Sequence, residues 1–394
     1  MFAVLSHILP PSPSGQAMVL YRILRDLNSS SYCLISRENY TIQTDSLGMN
    51  LRLPAKYYHI NAKSLIPVTG IPGIRTALNV VNVLLEIAQR ARGTYQILQK
   101  EKCSALVACT GDLYDPPVGY LACRWAKIPF YVYAFDDYVR QWTHPAYRLF
   151  AECVESIIMR NAKGVIAPNE FLCDEYRRRY RIEPVVIHNP CGPIDPDSLL
   201  SWPAKPGEIK IVYTGAIYHA HYDAFSNLLA AMRLLDDPRI KLHIYTSQAV
   251  SDLEQKGIVG PVEFHPHISL SEIADVQRCA DILFLPLAFN STIPDIIRTS
   301  APGKMGEYLA SGRPVLAHAP EDSFVNWYFR TYNVGQVANC ADPNVLAQAL
   351  KEMINEPDLR RQWCKNALHY AQKDFSLPTV RAKFLKLFSL ARDY

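Results

Sequence analysis

The densest run of chemistry-bearing side chains is Ile296–Ala317, IIRTSAPGKMGEYLASGRPVLA. Ser300 is a helix N-capping type, and Pro302 suits a first turn. The spacing predicts a helix beginning there, with Gly303 and Lys304 in its opening turn. Backbone amides at such a start form an anion site. Lys304 would add a movable positive charge and Arg298 a bidentate fork. Glu307 lies about one helical turn past Lys304. A carboxylate there can accept from two vicinal hydroxyls of a ribose. Gly312 can end the helix in a left-handed conformation. Phosphate binders beside a diol binder describe a nucleoside-diphosphate site. The rival reading makes Lys304 and Glu307 a surface i,i+3 pair of a few tenths of a kcal/mol, and Arg298 an ordinary loop residue.

Four other places could carry chemistry. Ser14-Gly15 is either a tight turn before a helix or a loop approaching a phosphate. Gly215 ends an apolar run, and His219 and His221 follow it as phosphate contacts or as solvated loop residues. Asp136-Asp137 could hold a metal, but no further carboxylate or histidine shows ligand spacing. A helix cap or an acceptor-hydroxyl contact is the expectation, with no metal. Ten cysteines run from Cys33 to Cys364 without a CxxC pair. They read as buried thiols of a reducing compartment.

Short apolar runs alternate with helical patterns. Strands are expected at Phe2–Leu9, Ser104–Ala108, Phe130–Ala134, Gly164–Ala167 and Pro184–His188. Helices are expected after Ser14-Gly15 and over Glu170–Tyr180. After a stretch holding Pro190, Pro193, Pro196, Pro203 and Pro206 the alternation restarts. Its strands are Lys210–Tyr213, Lys241–Tyr245, Val262–His265, Ile282–Pro286 and Pro314–Ala317. Its helices are Asn227–Leu235, Ser269–Cys279, Lys304–Ala310 and Val345–Ile354. Strand–helix alternation implies parallel sheets covered on both faces. Two such halves around a proline-rich linker predict an α/β protein of two Rossmann-like domains facing a cleft. The expected division is 1–190, a linker at 191–208, 209–372, and a last helix within 373–394.

PGKMGEYLASGRPVLA resembles the donor-site segment of retaining GT-B glycosyltransferases of the glycosyltransferase group 1 superfamily. PPSPSG at 10–15, IVYTG at 211–215 and VEFHPHISLSEIADVQRCADILFLP at 262–286 fit the same template in order. The resemblance implies that Glu307 holds the donor ribose, while Lys304 and Arg298 neutralise the diphosphate beside Pro302, Gly303 and Gly215. It places Ile268 near the base, and Ser14-Gly15 near the donor phosphate or the acceptor. Asp136 and Asp137 would face the acceptor, and the last helix would return to the first domain. Several departures stand out. Thr299 sits where many relatives carry a first glutamate, Ala216 where many carry an arginine, and Phe135 where some carry a histidine. Ser14-Gly15 replaces a double glycine.

The implied activity is hexosyl transfer from a nucleoside-diphosphate sugar to a glycan or lipid-linked sugar, in surface-polysaccharide assembly, without a cofactor. A nucleotide-sugar epimerase and an inactive scaffold on the same fold are the alternatives. Composition is that of an ordinary globular protein: 394 residues, 49% hydrophobic, net charge +4. Residues 1–200 hold 21 basic and 17 acidic side chains, and the rest 20 of each. That balance gives no nucleic-acid footprint. No run of ~18 apolar residues predicts a membrane span, and the start reads as a strand rather than a signal peptide. A cytoplasmic location is expected, with peripheral membrane contact one reading of the amphipathic Ile74–Arg92. Packing on the first sheet is the simpler reading.

Overall fold

The computed structural model describes residues 1–41, 51–62, 72–195, 207–266 and 268–389. Expectations on 196–206 of the proline-rich stretch and on 390–394 lie outside these residues. The chain divides into two compact units, Met1–Ile187 with Arg381–Tyr394, and His188–Val380.

The first unit begins β1 (Phe2–Leu5), α1 (Gly15–Leu24), β2 (Tyr32–Ser36), β3 (Lys56–His59) and α2 (Pro72–Lys100). It continues β4 (Ala105–Cys109), α3 (Asp115–Ala126), β5 (Phe130–Tyr133), α4 (Pro145–Asn161), β6 (Gly164–Ala167), α5 (Glu170–Tyr180) and β7 (Val185–Val186). Its seven strands lie in the order β3-β2-β1-β4-β5-β6-β7, and every pairing is parallel. The order reverses direction between β1 and β4, the place where such sheets bind ligands. β1, β2 and β4 are buried along their whole length, as strands with helices on both faces must be. α1 starts where Ser14 accepts from the Ala17 amide at 3.2 Å. Its Ala17, Val19, Leu20, Ile23 and Leu24 are buried. On α2, Ile87, Ala91 and Leu98 pack into the first core, while Leu84 stays 54% exposed.

The second unit runs β8 (Ile209–Thr214), α6 (Tyr222–Leu235), β9 (Ile240–Tyr245), α7 (Val250–Gln255), β10 (Val262–His265), α8 (Leu270–Arg278) and β11 (Ile282–Pro286). Then come α9 (Pro294–Thr299), α10 (Gly303–Ala310), β12 (Val315–His318), α11 (Phe324–Tyr332), β13 (Gln336–Ala338), α12 (Pro343–Asn355) and α13 (Pro357–Tyr370). A π-helical turn at Ala371–Phe375 leads into α14 (Leu377–Ser389). The six strands are parallel in the order β10-β9-β8-β11-β12-β13. Relative to the first strand of its own unit this repeats the 3-2-1-4-5-6 order, with the reversal between β8 and β11. Isoleucines of β8 and β9 pack with α6 and α12 into a second core.

Residues just after β7 attach to the second unit. Asn189 donates to the Ala301 carbonyl at 3.0 Å, and the Cys191 amide to the Phe375 carbonyl at 2.9 Å. From Arg381 onward α14 belongs to the first unit. The Arg381 guanidinium donates to the carbonyls of Ile23 and Arg22 and to Asp26. Phe388 stacks on Phe2 at 4.7 Å. Among the described residues no helix is long and apolar enough to cross a membrane.

Candidate functional site

β8 delivers Tyr213, Thr214 and Gly215 to the carboxyl edge of the second sheet. Gly215 has φ +117°, which disfavours any side chain. A Cβ there would also meet Lys304 Nζ at 3.3 Å. The open backbone and the lysine therefore share one small space. Lys304 comes from the first turn of α10, and its ammonium donates to the Tyr213 hydroxyl at 2.8 Å. It also lies 4.1 Å from the centre of that ring. The Tyr213 hydroxyl in turn donates to the Ala216 carbonyl at 2.7 Å.

Among the described residues no carboxylate lies within 4 Å of the Lys304 ammonium. Burial pulls its pKa down to about 8, against the raising influence of Glu307. The side chain still touches solvent, which moderates that shift. The result is a cation poised to gain from an anion, since an opposite charge restores its proton affinity.

The capping of α10 differs from the expectation. Pro302, not Ser300, occupies the N-cap, and Ser300 closes α9 instead. Proline offers no side-chain acceptor, so no side chain caps the opening turn of α10. The amides of Gly303 and Lys304 thereby remain suited to an anion. Glu307 follows one turn on, half-buried, with Gln277 of α8 donating to it at 3.4 Å. Gln277 also reaches the Thr214 hydroxyl at 3.4 Å. Tyr308, fully buried, receives the Thr214 amide at 3.0 Å. These bonds fix α10 and α8 to the end of β8. Gly306 lets α10 press on Phe375, where an added Cβ would sit 2.9 Å from the ring.

The remaining predicted donor residues are placed nearby in the chain. Arg298 is half-buried in the last turn of α9, and Ile268 is half-buried between β10 and α8. Thr299 is 4% exposed and bonds its own helix through Asp295. His221 is buried beside the Tyr213 hydroxyl at 3.4 Å. Burial and the Lys304 charge drive its pKa down to about 3. It is therefore a neutral wall of the site, while His219 is exposed.

In the first unit, Ser14 is spent as the cap of α1, and Gly15 opens that helix with free space around it. The two adjacent aspartates part company. Asp137 is 2% exposed, and one oxygen accepts from the Val139 and Arg140 amides at 3.1 and 3.0 Å. Its other oxygen pairs with Arg179. This engagement makes Asp137 a structural anchor rather than the acceptor contact expected of it. The Asp136 side chain reaches solvent. The surrounding protein and Asp137 push its carboxyl up to about 7, a shift that solvent contact moderates.

A cluster at the first sheet's reversal point escaped the sequence reading. His7 follows β1, and Asp112 and Asp115 follow β4. The His7 amide donates to Asp115 at 2.6 Å, and Arg37 Nε lies 2.9 Å from Asp112. Burial and Asp112 raise the Asp115 carboxyl well above its usual range. The signal available in the sequence was the polar GDLYD directly after a wholly apolar strand. The three side chains lie close enough to share a cation. However, the Arg37 guanidinium already serves Asp112, so the group better suits neutral hydroxyls.

Residues 208–356 match the family model described as Glycosyl transferases group 1. A comparison with curated proteins finds no match. Among solved structures, sucrose-phosphate synthase from Thermosynechococcus elongatus aligns with TM-score 0.68 at 16% identity, over 99% of this chain and 98% of that one. Anabaena HepE in complex with UDP and glucose aligns with TM-score 0.68 at 14% identity, over 98% and 99%. WaaG, a glycosyltransferase involved in lipopolysaccharide biosynthesis, aligns with TM-score 0.58 at 16% identity, over 98% and 99%. The fold is thus GT-B. Residues 208–356 are thus similar to the group 1 glycosyl transferases.

Proposed function

We propose that this protein is a retaining glycosyltransferase that moves a hexosyl group from a nucleoside-diphosphate sugar to a hydroxyl of a glycan or lipid-linked sugar, in surface-polysaccharide assembly. The observation that carries this reading is Lys304. Its ammonium sits at an uncapped helix start against Gly215, without a carboxylate partner among the described residues. UDP in the HepE structure and the lipopolysaccharide role of WaaG support the donor and the product class.

Negative charge grows on the diphosphate as the glycosidic bond breaks. Lys304, Arg298 and the Gly303 and Lys304 amides would bind it and stabilise that growth from preorganised positions. These groups supply the charge that a bridging cation supplies elsewhere, so the reaction is proposed to need no cofactor. Glu307, held by Gln277, would accept from the ribose hydroxyls, and Ile268 would border the base. Asp136 would orient the acceptor hydroxyl. In a retaining transfer the departing phosphate takes the acceptor proton, and no dedicated base is assigned. The protein would act on the inner side of the membrane, where nucleotide sugars are made available.

The test is product analysis with purified protein, a panel of nucleotide sugars and a pool of glycan and lipid-linked acceptors. The expected outcome is a new glycoside whose anomeric configuration, read by NMR, matches the donor. An inverted anomer removes the retaining mechanism. An altered nucleotide sugar formed without acceptor indicates an epimerase. Binding without turnover across the panel indicates a scaffold.

A further inference from the structure

We propose that His243, Glu263 and His265 form a zinc-binding site at the outer edge of the second sheet, away from the reaction. β10 is the edge strand, and β9 is its neighbour. Their parallel register pairs Glu263 with His243. Paired residues share a face, and His265 falls on the same face two residues on. The three ligand atoms lie within 4.8 Å of one another.

The distances are those of a ligand set. His243 Nδ1 is 3.0 Å from His265 Nε2 and 3.6 Å from a Glu263 oxygen. Ligand atoms around a tetrahedral zinc, each about 2.0–2.1 Å from it, stand roughly 3.3 Å apart. The imidazole centres are 5.2 Å apart with planes at 11°. Together with the 3.0 Å contact, that places the rings edge to edge, nitrogen to nitrogen.

Two further features point to a ligand. His243 is 3% exposed, yet its Nε2 makes no hydrogen bond among the described residues. Glu208 stands 3.4 Å from that nitrogen. A carboxylate facing the outer nitrogen of a metal-bound histidine is the usual device for fixing its tautomer and raising its basicity. Tyr245 stacks on the His265 ring at 4.3 Å, which holds it in place. Lys241 pairs with Glu263 at 2.8 Å but uses the other oxygen. That pair is open to solvent, so it yields readily. Two imidazoles with one carboxylate favour zinc over magnesium or calcium, which prefer all-oxygen sites.

The ion would fasten β10 to β9. β10 leads into the segment around Ile268 and into α8, whose Gln277 touches Glu307. Only this coupling rests on the proposed function; the metal site stands without it.

The experiment uses the full chain without a histidine tag, stripped of metal and titrated calorimetrically with zinc chloride. One equivalent should bind in wild type and in His369→Ala, which removes an exposed histidine elsewhere. His265→Ala and Glu263→Gln should each lower the affinity at least ~10-fold, as loss of one ligand from a three-ligand set does. Cobalt(II) should give the visible absorption of a four-coordinate ion in wild type and not in His265→Ala. Magnesium should give neither heat nor shift. Zinc binding of equal strength in wild type and both cluster variants would overturn the proposal, as would no saturable binding. Should His265→Ala fail to fold, Glu263→Gln and the cobalt spectrum of wild type decide.

Discussion

The two sheets share one strand order but present opposite chemistry at their reversal points. Between β1 and β4 stand His7, Asp112 and Asp115, with Arg37 already engaged by a carboxylate. Between β8 and β11 stand Gly215 and Lys304, beside a helix start that no side chain caps. The first edge offers acceptors and one carboxyl, Asp115, raised well above its usual range, and the second offers positive charge. The lesson is that the order of strands fixes where a ligand goes, while a few residues after each strand fix which ligand. On the proposed function, one edge would bind hydroxyls and the other a diphosphate.

The sharpest way to break that contrast is Lys304→Ala. A group that meets more negative charge in the transition state than in the ground state acts on kcat. The expected loss is at least ~10²-fold in kcat. Lys304→Arg should recover little, because a planar fork does not replace a compact ammonium beside Tyr213. Wild-type kcat at saturating donor in the folded variant would remove the lysine from the chemistry.

Glu307→Ala comes next. Loss of a charged hydrogen-bond partner costs about 1.5–3 kcal/mol, roughly 10- to 150-fold in affinity. Free nucleoside diphosphate and nucleotide sugar should weaken by similar factors in calorimetry, because both carry the ribose. Unchanged affinity would take Glu307 out of the donor site.

A smaller effect separates the two edges by pH. Asp136 has its carboxyl raised to about 7, and Lys304 has its ammonium lowered to about 8. Acceptor KM should therefore fall as pH rises through ~7 and Asp136 ionises, and Asp136→Asn should flatten that limb. Nucleotide affinity should fall as pH rises above ~8 and Lys304 loses its proton. Lys304→Ala should flatten this second limb and leave the first. Both limbs responding to one variant would mean that the edges are not chemically distinct.

The smallest expected effect is on stability. The folded pKa of Lys304 lies below its ordinary value of 10.5, so the folded state disfavours the charged form. Its penalty is fully present below about pH 8 and is relieved as pH rises from there toward 10.5, because the unfolded chain then binds more protons. Lys304→Met should raise Tm by a few degrees at neutral pH, with the gain shrinking by pH 10. A Tm gain that grows with pH would contradict this sign.

Much of the fold was legible because many of its strands are short apolar or alternating runs. Val262–His265, Ile282–Pro286 and Gly164–Ala167 emerge with the bounds the sequence suggests. Some elements that went unread break that pattern for physical reasons, whereas β2, YCLIS and wholly buried, fits it and still went unread. α3, α4, α9 and α13 carry proline in the first turn, which blurs the helical pattern in sequence although a first turn tolerates it. β3 is KYYH at an edge, with no wholly buried residue. At the site, Lys304 and Glu307 were legible because one contiguous motif holds them, and Gly215 because it ends an apolar run. The His7, Arg37, Asp112 and Asp115 group was not, because three segments distant in sequence meet only when the strands align. The difference between Asp136 and Asp137 needed Arg179, forty-two residues on.

The last helix sets a timetable for synthesis. Phe384 and Phe388 cover Phe2 and Tyr131 of the first sheet, and Arg381 ties down the end of α1. A ribosome must make the whole of the second unit before those residues exist. The first unit therefore emerges early with an aromatic flank bare, a period in which a chaperone or a stray partner can occupy it. Its completion waits for a helix made after the second unit, so the half begun first cannot be finished until the other has been made.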